Sequence, residues 1–277
     1  MNADAPNAPL ASFEAKWSAA HPEFGLALTF IREPERSERS AFGCLVYEIE
    51  YAAFGIREMH PAAIKLSWWA EEFVRASKGE ARHPLTIALA DRIRRAGVPI
   101  ARWQDVVMAA MAQRDPEPAA DAHALLGNTA FYTPFTEIEA ALFGGIDAEP
   151  SARALALAHA VRETANLADA LRDGRLPVPL DLLARHRLAR GDLAGKSTEA
   201  SSALRDWLQQ LADVGAELAG QRARFSVVTA ATLAAARFRA RRAARAEEPL
   251  AVLAEAQRRI SAGTAWSAWR AARRSRG

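Results

Sequence analysis

The sequence predicts a single all-α domain, and three observations lead to that prediction. Alanine and arginine, both strong helix formers, dominate the 277 residues, whereas β-branched runs that favour strands are few. No strand-like alternation of apolar and polar residues persists along the chain. Prolines fall where helices would begin and glycines where they would end, and no long linker separates two halves.

Helical periodicity predicts the elements in order. The helices are expected near residues 10–20, 38–57, 61–78, 84–96, 100–113, 118–127, 134–143, 150–172, 180–189, 198–219, 221–245 and 249–273. Prolines that suit a first turn, because their missing N–H costs nothing there, are Pro61, Pro84, Pro134 and Pro150. Glycines that suit a helix end are Gly79, Gly97, Gly127 and Gly144. Residues 1–9 are predicted to be a flexible leader before a domain at 10–277, in which 190–197 is a candidate internal hinge.

The charge is uneven along the chain. The whole carries a net +3, but the predicted helical region 221–277 has 13 Arg and only 3 Glu and is therefore strongly basic. Such a region either pairs with acidic helices of the same molecule or is attracted to an anionic membrane surface or a diphosphate headgroup. Trp266 and Trp269 lie among its arginines at a helical spacing. Nucleic acid is not expected as a partner, because the basic residues lack the aromatic and glycine spacing of a known binding module.

Several classes of protein are excluded by composition. Cys44 is the only cysteine, so an intramolecular disulfide framework is impossible and a reducing, cytoplasmic location is expected. No uninterrupted apolar stretch approaches the length that spans a bilayer, so any membrane contact is expected to be peripheral, at the inner face. No metal-ligand spacing of histidines and no hydrolase elbow is present.

Two segments resemble those of a known family. The segment 64–73 reads IKLSWWAEEF and is followed by a short glycine loop and then His83-Pro84-Leu85. The segment 174–183 reads GRLPVPLDLL. Both are similar to segments of the squalene/phytoene synthase family of head-to-head isoprenyl diphosphate synthases, and the resemblance covers about residues 30–190. It implies a helical bundle of the isoprenoid synthase type around a central cavity, where two aspartate-rich motifs would hold magnesium on a prenyl diphosphate.

The residues at the motif positions differ from that pattern. By the family's spacing, the first aspartate pair falls on Tyr47 and Tyr51, and the second falls on Asn166 and Ala170. A phenol, whose ordinary pKa lies near 10, is a poor magnesium ligand at neutral pH, and alanine cannot be one. We therefore expect a divergent member with eroded motifs, without head-to-head synthase activity and without magnesium or another cofactor.

The resemblance also suggests where a ligand would lie. If the cavity persists, an isoprenoid, a prenyl diphosphate or another apolar ligand is expected to contact residues from the family's cavity region, namely Phe42, Tyr47, Tyr51, Trp69, Asn166 and Arg175. The preferred functions are binding of such a ligand or membrane-associated assembly with a protein partner that the sequence does not identify.

Two alternatives remain open. The chain could be an active prenyl transferase with a displaced magnesium site, in which Glu48 or Glu50 acts with Asp169 and Asp173, a pair spaced one helical turn apart. It could instead be a helical protein-interaction scaffold with a closed core. Convergence of the carboxylates on one pocket would favour the first alternative, and a filled interior would favour the second.

Overall fold

The computed structural model describes residues 8–114, 117–195 and 197–275. Within these ranges all regular structure is helical and no strand occurs, so the predicted all-α class is confirmed. The helices before residue 145 are α1 Ala8–Ala20, α2 Pro22–Leu28, α3 Glu35–Glu50, α4 Met59–Ser77, α5 Pro84–Ala96, α6 Ile100–Ala112, α7 Ala122–Gly127 and α8 Thr133–Phe143. Those that follow are α9 Ala148–Ala165, α10 Leu167–Arg172, α11 Leu180–His186, α12 Thr198–Gly220, α13 Val227–Ala244, α14 Pro249–Ala256 and α15 Ala262–Arg274.

Helix ends follow local sequence signals where those signals are strong. Helix α5 begins at Pro84, as predicted, and the His83 side chain accepts a hydrogen bond from the Leu85 N–H. Gly97 ends the helix in the left-handed conformation, with φ of 62°, which glycine adopts without steric cost. Glu72 of α4 closes the loop before α5, because its carboxylate accepts hydrogen bonds from the N–H groups of Arg82 and His83 at 2.7 and 2.8 Å.

Two predicted helices are divided in the structure, and one observed helix was not predicted. The predicted helix 150–172 is broken at Asn166, whose φ of −105° and ψ of 28° end α9 and start α10. The predicted helix 249–273 is two helices, because Ser261 accepts a hydrogen bond from the Thr264 N–H and so caps a new start. Helix α2 was not expected. Serine capping and a single non-helical asparagine are weak signals within otherwise helical composition.

The predicted leader and hinge are only partly described. Residues 1–7 lie outside the described ranges, and α1 begins at Ala8. Within 190–197, residues Arg190–Ala194 form a 3₁₀ turn, and Lys196 lies outside the described ranges. A π-helical turn at Tyr51–Gly55 extends α3.

Two apolar cores share the same central helices. One core joins α1–α6, α8 and α15, and the other joins α9 with α11–α14. Helix α9 contributes Ala152 and Ala156 to the first core and Leu157 and Val161 to the second. Helix α13 also contributes to both cores. These two helices therefore tie the halves of the bundle together.

The tryptophan pair of α4 is only half buried. Trp69 is 1% exposed and packs against Phe73 and His83, with ring centroids 5.8 and 4.7 Å away. Trp68 is 39% exposed and meets Trp69 edge-on, so only one ring reaches the core. Adjacent positions on a helix point about 100° apart, and the crossing with α5 covers only one of them.

Candidate functional site

The facing surfaces of α3, α8 and α9 enclose the position where a central ligand cavity was expected. Only a small cavity of about 40 Å³ remains there. Phe42 and Tyr47, two of the sequence-predicted ligand residues, line it. A volume of this size holds one or two water molecules, whereas pockets for small organic ligands usually measure about 300–1,000 Å³. The space between these three helices is therefore largely filled.

Tyr47 fills part of that space as a packed aromatic ring. It stacks on His21 with ring centroids 4.0 Å apart and an interplanar angle of 6°, and it contacts Trp17 and Phe24 at 5.4 Å. Burial raises the pKa of the Tyr47 phenol far above its ordinary value. The side chain at the first predicted motif position is thus a neutral phenol within an aromatic cluster.

A buried ion cluster fills the space next to it. The Glu50 Oε1 atom accepts a hydrogen bond from the Arg162 Nη2 group at 2.5 Å, and the His159 Nδ1 atom lies 3.4 Å away. The Tyr132 hydroxyl donates to Glu50 Oε2 at 3.1 Å. Helix α3 supplies the carboxylate, α9 supplies the arginine and histidine, and the N-cap of α8 supplies the tyrosine.

The electrostatics of this cluster favour one fixed charge state. Burial alone would raise the pKa of Glu50, but the charge of Arg162 and the contact with His159 outweigh it and lower that pKa strongly. Burial lowers the pKa of His159, so the ring is neutral at pH 7. Burial and then the charge of Arg162 lower the pKa of His21 to about 4. One carboxylate and one guanidinium therefore neutralise each other beside two neutral imidazoles.

Sequence reasoning named Glu50 but missed its partners. His159 and Arg162 are three residues apart on α9 and so share one helix face, and Asn166 continues the same stripe. That stripe was a usable signal, because it placed two polar residues on the face expected to point inward. What the sequence lacked was any indication that the partner carboxylate lies more than 100 residues earlier.

The remaining predicted motif positions lie outside the small cavity. Tyr51 is 47% exposed, with the ammonium groups of Lys65 and Lys16 at 5.1 and 5.7 Å from its ring. Asn166 is exposed at the break between α9 and α10, and Ala170 is buried in α10. Trp69, another of the predicted ligand residues, is buried where α4 packs on α5 and does not line the cavity.

The carboxylates of a displaced metal site are already paired. Asp169 accepts a hydrogen bond from Arg172 at 2.6 Å on the exposed surface. Asp173 lies 2.5 Å from the Arg57 Nε atom and 3.6 Å from Arg175. No group of three His, Cys, Asp or Glu side chains in the described part of the chain could hold a metal ion. The residues present do not fit the magnesium site that this fold suggests.

Glu48 is likewise neutralised by cations. Its carboxylate accepts hydrogen bonds from Lys16 at 2.5 Å, from Lys65 at 2.8 Å and from the Trp17 indole at 3.1 Å. Burial alone would raise the pKa of Glu48, but the two lysines lower it. Glu48 and Glu50 therefore face different partners on opposite sides of α3.

Arg175 lines a separate, open pocket of about 150 Å³. Its guanidinium pairs with Glu163 of α9, and His159 lies on the same wall. The rest of the lining is mainly apolar, with Phe54 and Phe131 among its residues. This pocket and the small central cavity share Tyr132 as a lining residue.

Comparison with known proteins identifies the class of fold. No protein-family model matches the sequence, and no curated protein matches it. The chain superposes on the squalene synthase HpnC of Alicyclobacillus acidocaldarius with a TM-score of 0.61 and 17% identity, over 89% of this chain and 92% of that one. It also superposes on a dehydrosqualene synthase in complex with ligand, with a TM-score of 0.63 and 14% identity, over 85% and 84% of the two chains.

The protein therefore has the all-α isoprenoid synthase fold, in the form seen in squalene and dehydrosqualene synthases. The similarity runs over most of both chains. The predicted squalene/phytoene synthase-like bundle is thus confirmed as a fold.

Proposed function

We propose that this chain uses the squalene/phytoene synthase-like fold as a non-catalytic helical scaffold at an anionic membrane surface, without head-to-head prenyl transfer. The observation that carries the proposal is the buried Glu50–Arg162 pair, which occupies the space between α3 and α9. Ionisation of an allylic diphosphate needs a metal cluster to stabilise the leaving group and a dry cavity to shelter the cation. Neither the paired carboxylates nor a cavity of about 40 Å³ suits that chemistry.

Support for a scaffold comes from the filled interior. Because the aromatic cluster around Tyr47 and the ion cluster around Glu50 pack the centre, a chain of prenyl length has no room between the helices without rearrangement. The surface is then what remains to interact with partners. By analogy of fold alone, a role in membrane-associated assembly is consistent with that arrangement.

Support for the membrane surface comes from α15. Its buried face, which includes Thr264, Ala268 and Ala272, packs on the body, whereas Trp266 is 58% exposed and stacks on Trp269 at 4.6 Å. Arginines flank these rings in the basic region 221–277. An amphipathic helix with exposed tryptophan and arginine is suited to a headgroup layer. None of the helices in the described ranges is long and apolar enough to cross a bilayer.

The experiment that tests the absence of catalysis is incubation of the full chain with labelled farnesyl and geranylgeranyl diphosphate and magnesium, with turnover and retention measured separately. We expect neither turnover nor retention in the central cavity. Turnover that Asp169→Ala or Asp173→Ala abolishes would overturn the proposal and establish a displaced metal site. An Asp91→Ala variant serves as the matched control, because its exposed carboxylate on α5 pairs with Arg94 as that of Asp169 pairs with Arg172.

A second candidate function is binding of a small apolar ligand with a polar end, and the open pocket of about 150 Å³ beside Arg175 favours it. Retention of a ligand without turnover, lost on Arg175→Gln but kept in Arg172→Gln, would favour this function over the scaffold. Arg172 is a suitable control because it is exposed and pairs only with Asp169 among the described residues.

The membrane contact is tested by flotation with vesicles. We expect the chain to float with vesicles that contain anionic lipid and not with neutral ones, and Trp266→Ser to weaken flotation. Equal flotation with both kinds of vesicle, or none with either, would remove the membrane from the proposal and leave a scaffold for protein partners only.

A further inference from the structure

A larger cleft, of about 460 Å³, lies away from the ion cluster. It is formed by the first turns of α13, the outer face of α15 and the Gly144-Gly145 loop that follows α8. At the beginning of α3 it includes Arg39, which precedes Glu50 by about 16 Å along the helix axis. Arg39 also lines the small central cavity, so the two spaces meet at this side chain, but none of the predicted aspartate positions lines the cleft.

The charge of this cleft is strongly one-sided. Among the described residues that line it, Glu35 is the only acidic one. The basic residues that line it are Arg39, Arg92, Arg224, Arg237, Arg270 and Arg274. Clefts lined by one sign of charge focus the electrostatic field and concentrate counter-ions.

Half of these arginines already have carboxylate partners. The Arg39 Nε group lies 2.6 Å from Glu35, and Arg92 pairs with Glu38. Arg224 pairs with Asp147 at 3.3 Å. These pairs hold three guanidinium groups in place along one wall.

The other three arginines have no counter-charge. Arg237, Arg270 and Arg274 form no ion pair with any residue of the described ranges, 8–114, 117–195 and 197–275. Arg270 and Arg274 are one helical turn apart on α15 and so share a face. Arg237 of α13 is half-buried, and burial followed by the charge of Arg241 lowers its pKa. An anion bound in the cleft would supply a counter-charge to these groups.

A helix end adds to the positive potential of the cleft. Arg39 adds little to it, because its Nε group pairs with Glu35 and its buried Nη1 group lies 3.7 Å from Glu139, which lines the small central cavity and not the cleft. Helix α13 begins in the cleft, with Ser226 as its N-cap, so the positive end of the helix dipole lies there.

The apolar part of the lining narrows the ligand class. Phe143, Phe225, Val227 and Leu233 lie between the arginines. Guanidinium groups match phosphate oxygens in a planar, two-point geometry that a single ammonium cannot reproduce. We propose that this cleft binds a phosphate or diphosphate group carried on an apolar body. The inference does not depend on the scaffold role, because binding here needs neither the central cavity nor a metal.

The test measures the binding of inorganic pyrophosphate, a soluble probe, to the full chain by titration calorimetry at physiological salt. We expect a Kd below about 1 mM for the native sequence. The variant Arg237→Gln/Arg270→Gln/Arg274→Gln should weaken binding by about tenfold or more, because charge-assisted hydrogen bonds to the anion are lost.

A control variant separates the cleft from general positive charge. Arg242→Gln/Arg245→Gln/Arg258→Gln removes the same charge from exposed arginines of the same basic region that lie outside the cleft. We expect less than about a twofold change for it at physiological salt, where distant charges are screened. Equal weakening by both variants, or no binding by the native sequence, would overturn the proposal.

A further variant guards against loss of folding. Arg237→Lys/Arg270→Lys/Arg274→Lys keeps every charge but removes the two-point geometry, so it should fold and still bind pyrophosphate measurably more weakly than the native chain. Unchanged affinity in this variant would show that only net charge matters and would contradict a built phosphate site.

Vesicles then identify the source of the phosphate group. Neutral vesicles are compared with vesicles that contain phosphatidic acid and with vesicles that contain an equal charge of phosphatidylserine. A preference for phosphatidic acid that the cleft variant loses would assign a lipid headgroup, and pyrophosphate binding without that preference would assign a soluble organic phosphate. The prenyl-transfer assay and the pyrophosphate-binding assay use different variants. A result that contradicts the proposed function can therefore be distinguished from one that contradicts the phosphate site.

Discussion

Glu48 and Glu50 lie two residues apart on α3, and both are buried carboxylates with lowered pKa, yet their surroundings differ. The partners of Glu48 are two lysines, 51% and 30% exposed, whose stems reach inward from solvent. The partner of Glu50 is Arg162, whose side chain is only 15% exposed, and no lysine or second arginine of the described residues pairs with Glu50. A carboxylate with two exposed partners tolerates the loss of one, whereas a carboxylate with one buried partner does not.

The largest effect is therefore expected on the Glu50 side. Arg162→Met should destabilise the fold by about 3–5 kcal/mol, because it leaves a buried carboxylate without its counter-ion. Urea unfolding followed by circular dichroism measures the change. Adding Glu50→Gln to Arg162→Met removes that charge, keeps an acceptor for Tyr132 and should recover at least half of the loss. Arg57→Met, which breaks an exposed pair with Asp173, is the control and should cost less than about 1 kcal/mol.

The next effect depends on pH. His21 has a pKa of about 4 in the folded chain against 6.5 when unperturbed, so folding keeps it neutral. Its contribution to stability is complete above pH 6.5 and is lost as the pH falls toward 4. Between pH 6.5 and 5 the loss should be about 2 kcal/mol. His21→Phe, which keeps an aromatic ring against Tyr47, should flatten the stability profile over this interval.

The control for the pH experiment is His60→Phe, at an exposed position in α4. It should leave the profile unchanged. His83 and His159, whose pKa values are also lowered by burial, stay in every variant, so the slope for His21→Phe should decrease without vanishing.

Restricting the measurement to pH above 5 avoids the titration of Glu48 and Glu50, whose lowered pKa values matter only below about 4.5. Glu139, whose pKa is raised by burial, is present in every variant and cancels in the comparison. An unaltered slope for His21→Phe would contradict the assignment of a buried neutral ring.

A third buried carboxylate sharpens the comparison, because backbone groups are among its partners. Glu72 accepts hydrogen bonds from two backbone N–H groups, from the Thr86 hydroxyl at 2.5 Å and from the Arg75 Nε group at 3.0 Å. Glu72→Gln keeps the shape but removes the charge and one acceptor, so we expect a loss of about 1–3 kcal/mol in thermal or urea unfolding. Glu71→Gln, on the exposed face of the same helix, should change stability by no more than about 0.5 kcal/mol.

The smallest effect is expected on the Glu48 side. Lys65→Met should cost less than about 1 kcal/mol, because Lys16 and the Trp17 indole still contact the carboxylate. The double variant Lys16→Met/Lys65→Met should cost more than the sum of the two single variants by about 1 kcal/mol or more. Strict additivity in this cycle would show that the two lysines act independently and not as alternatives.

These carboxylates also show which parts of the structure could be predicted from sequence. The loop around Glu72 involves residues within 14 positions of one another, and its glycine, histidine and proline signals predicted the end of α4 and the start of α5 correctly. The all-α class was predictable for the same reason, because periodicity and composition act locally along every helix. The site was not. Glu50 and Arg162 are separated by 112 positions, and only the packing of α3 on α9 brings them together.

Other differences have equally specific causes. The break at Asn166 and the new start at Ser261 depend on single polar residues whose signals helical composition obscured. The half-exposed Trp68 depends on how much of α4 the next helix covers. The filled centre depends on the summed volume of Tyr47, His21 and the ion cluster, which no pattern along the chain reports.

The Glu50–Arg162 pair also constrains how this chain could evolve. A route toward an open interior that holds a ligand must remove both charges, and a chain that has lost only one would retain a buried, uncompensated charge. That intermediate would forfeit a large share of the 5–15 kcal/mol by which domains are usually stable. Opening the interior therefore needs two substitutions, and the first of them alone is strongly destabilising. New contacts on the outside of the bundle can instead arise by single substitutions.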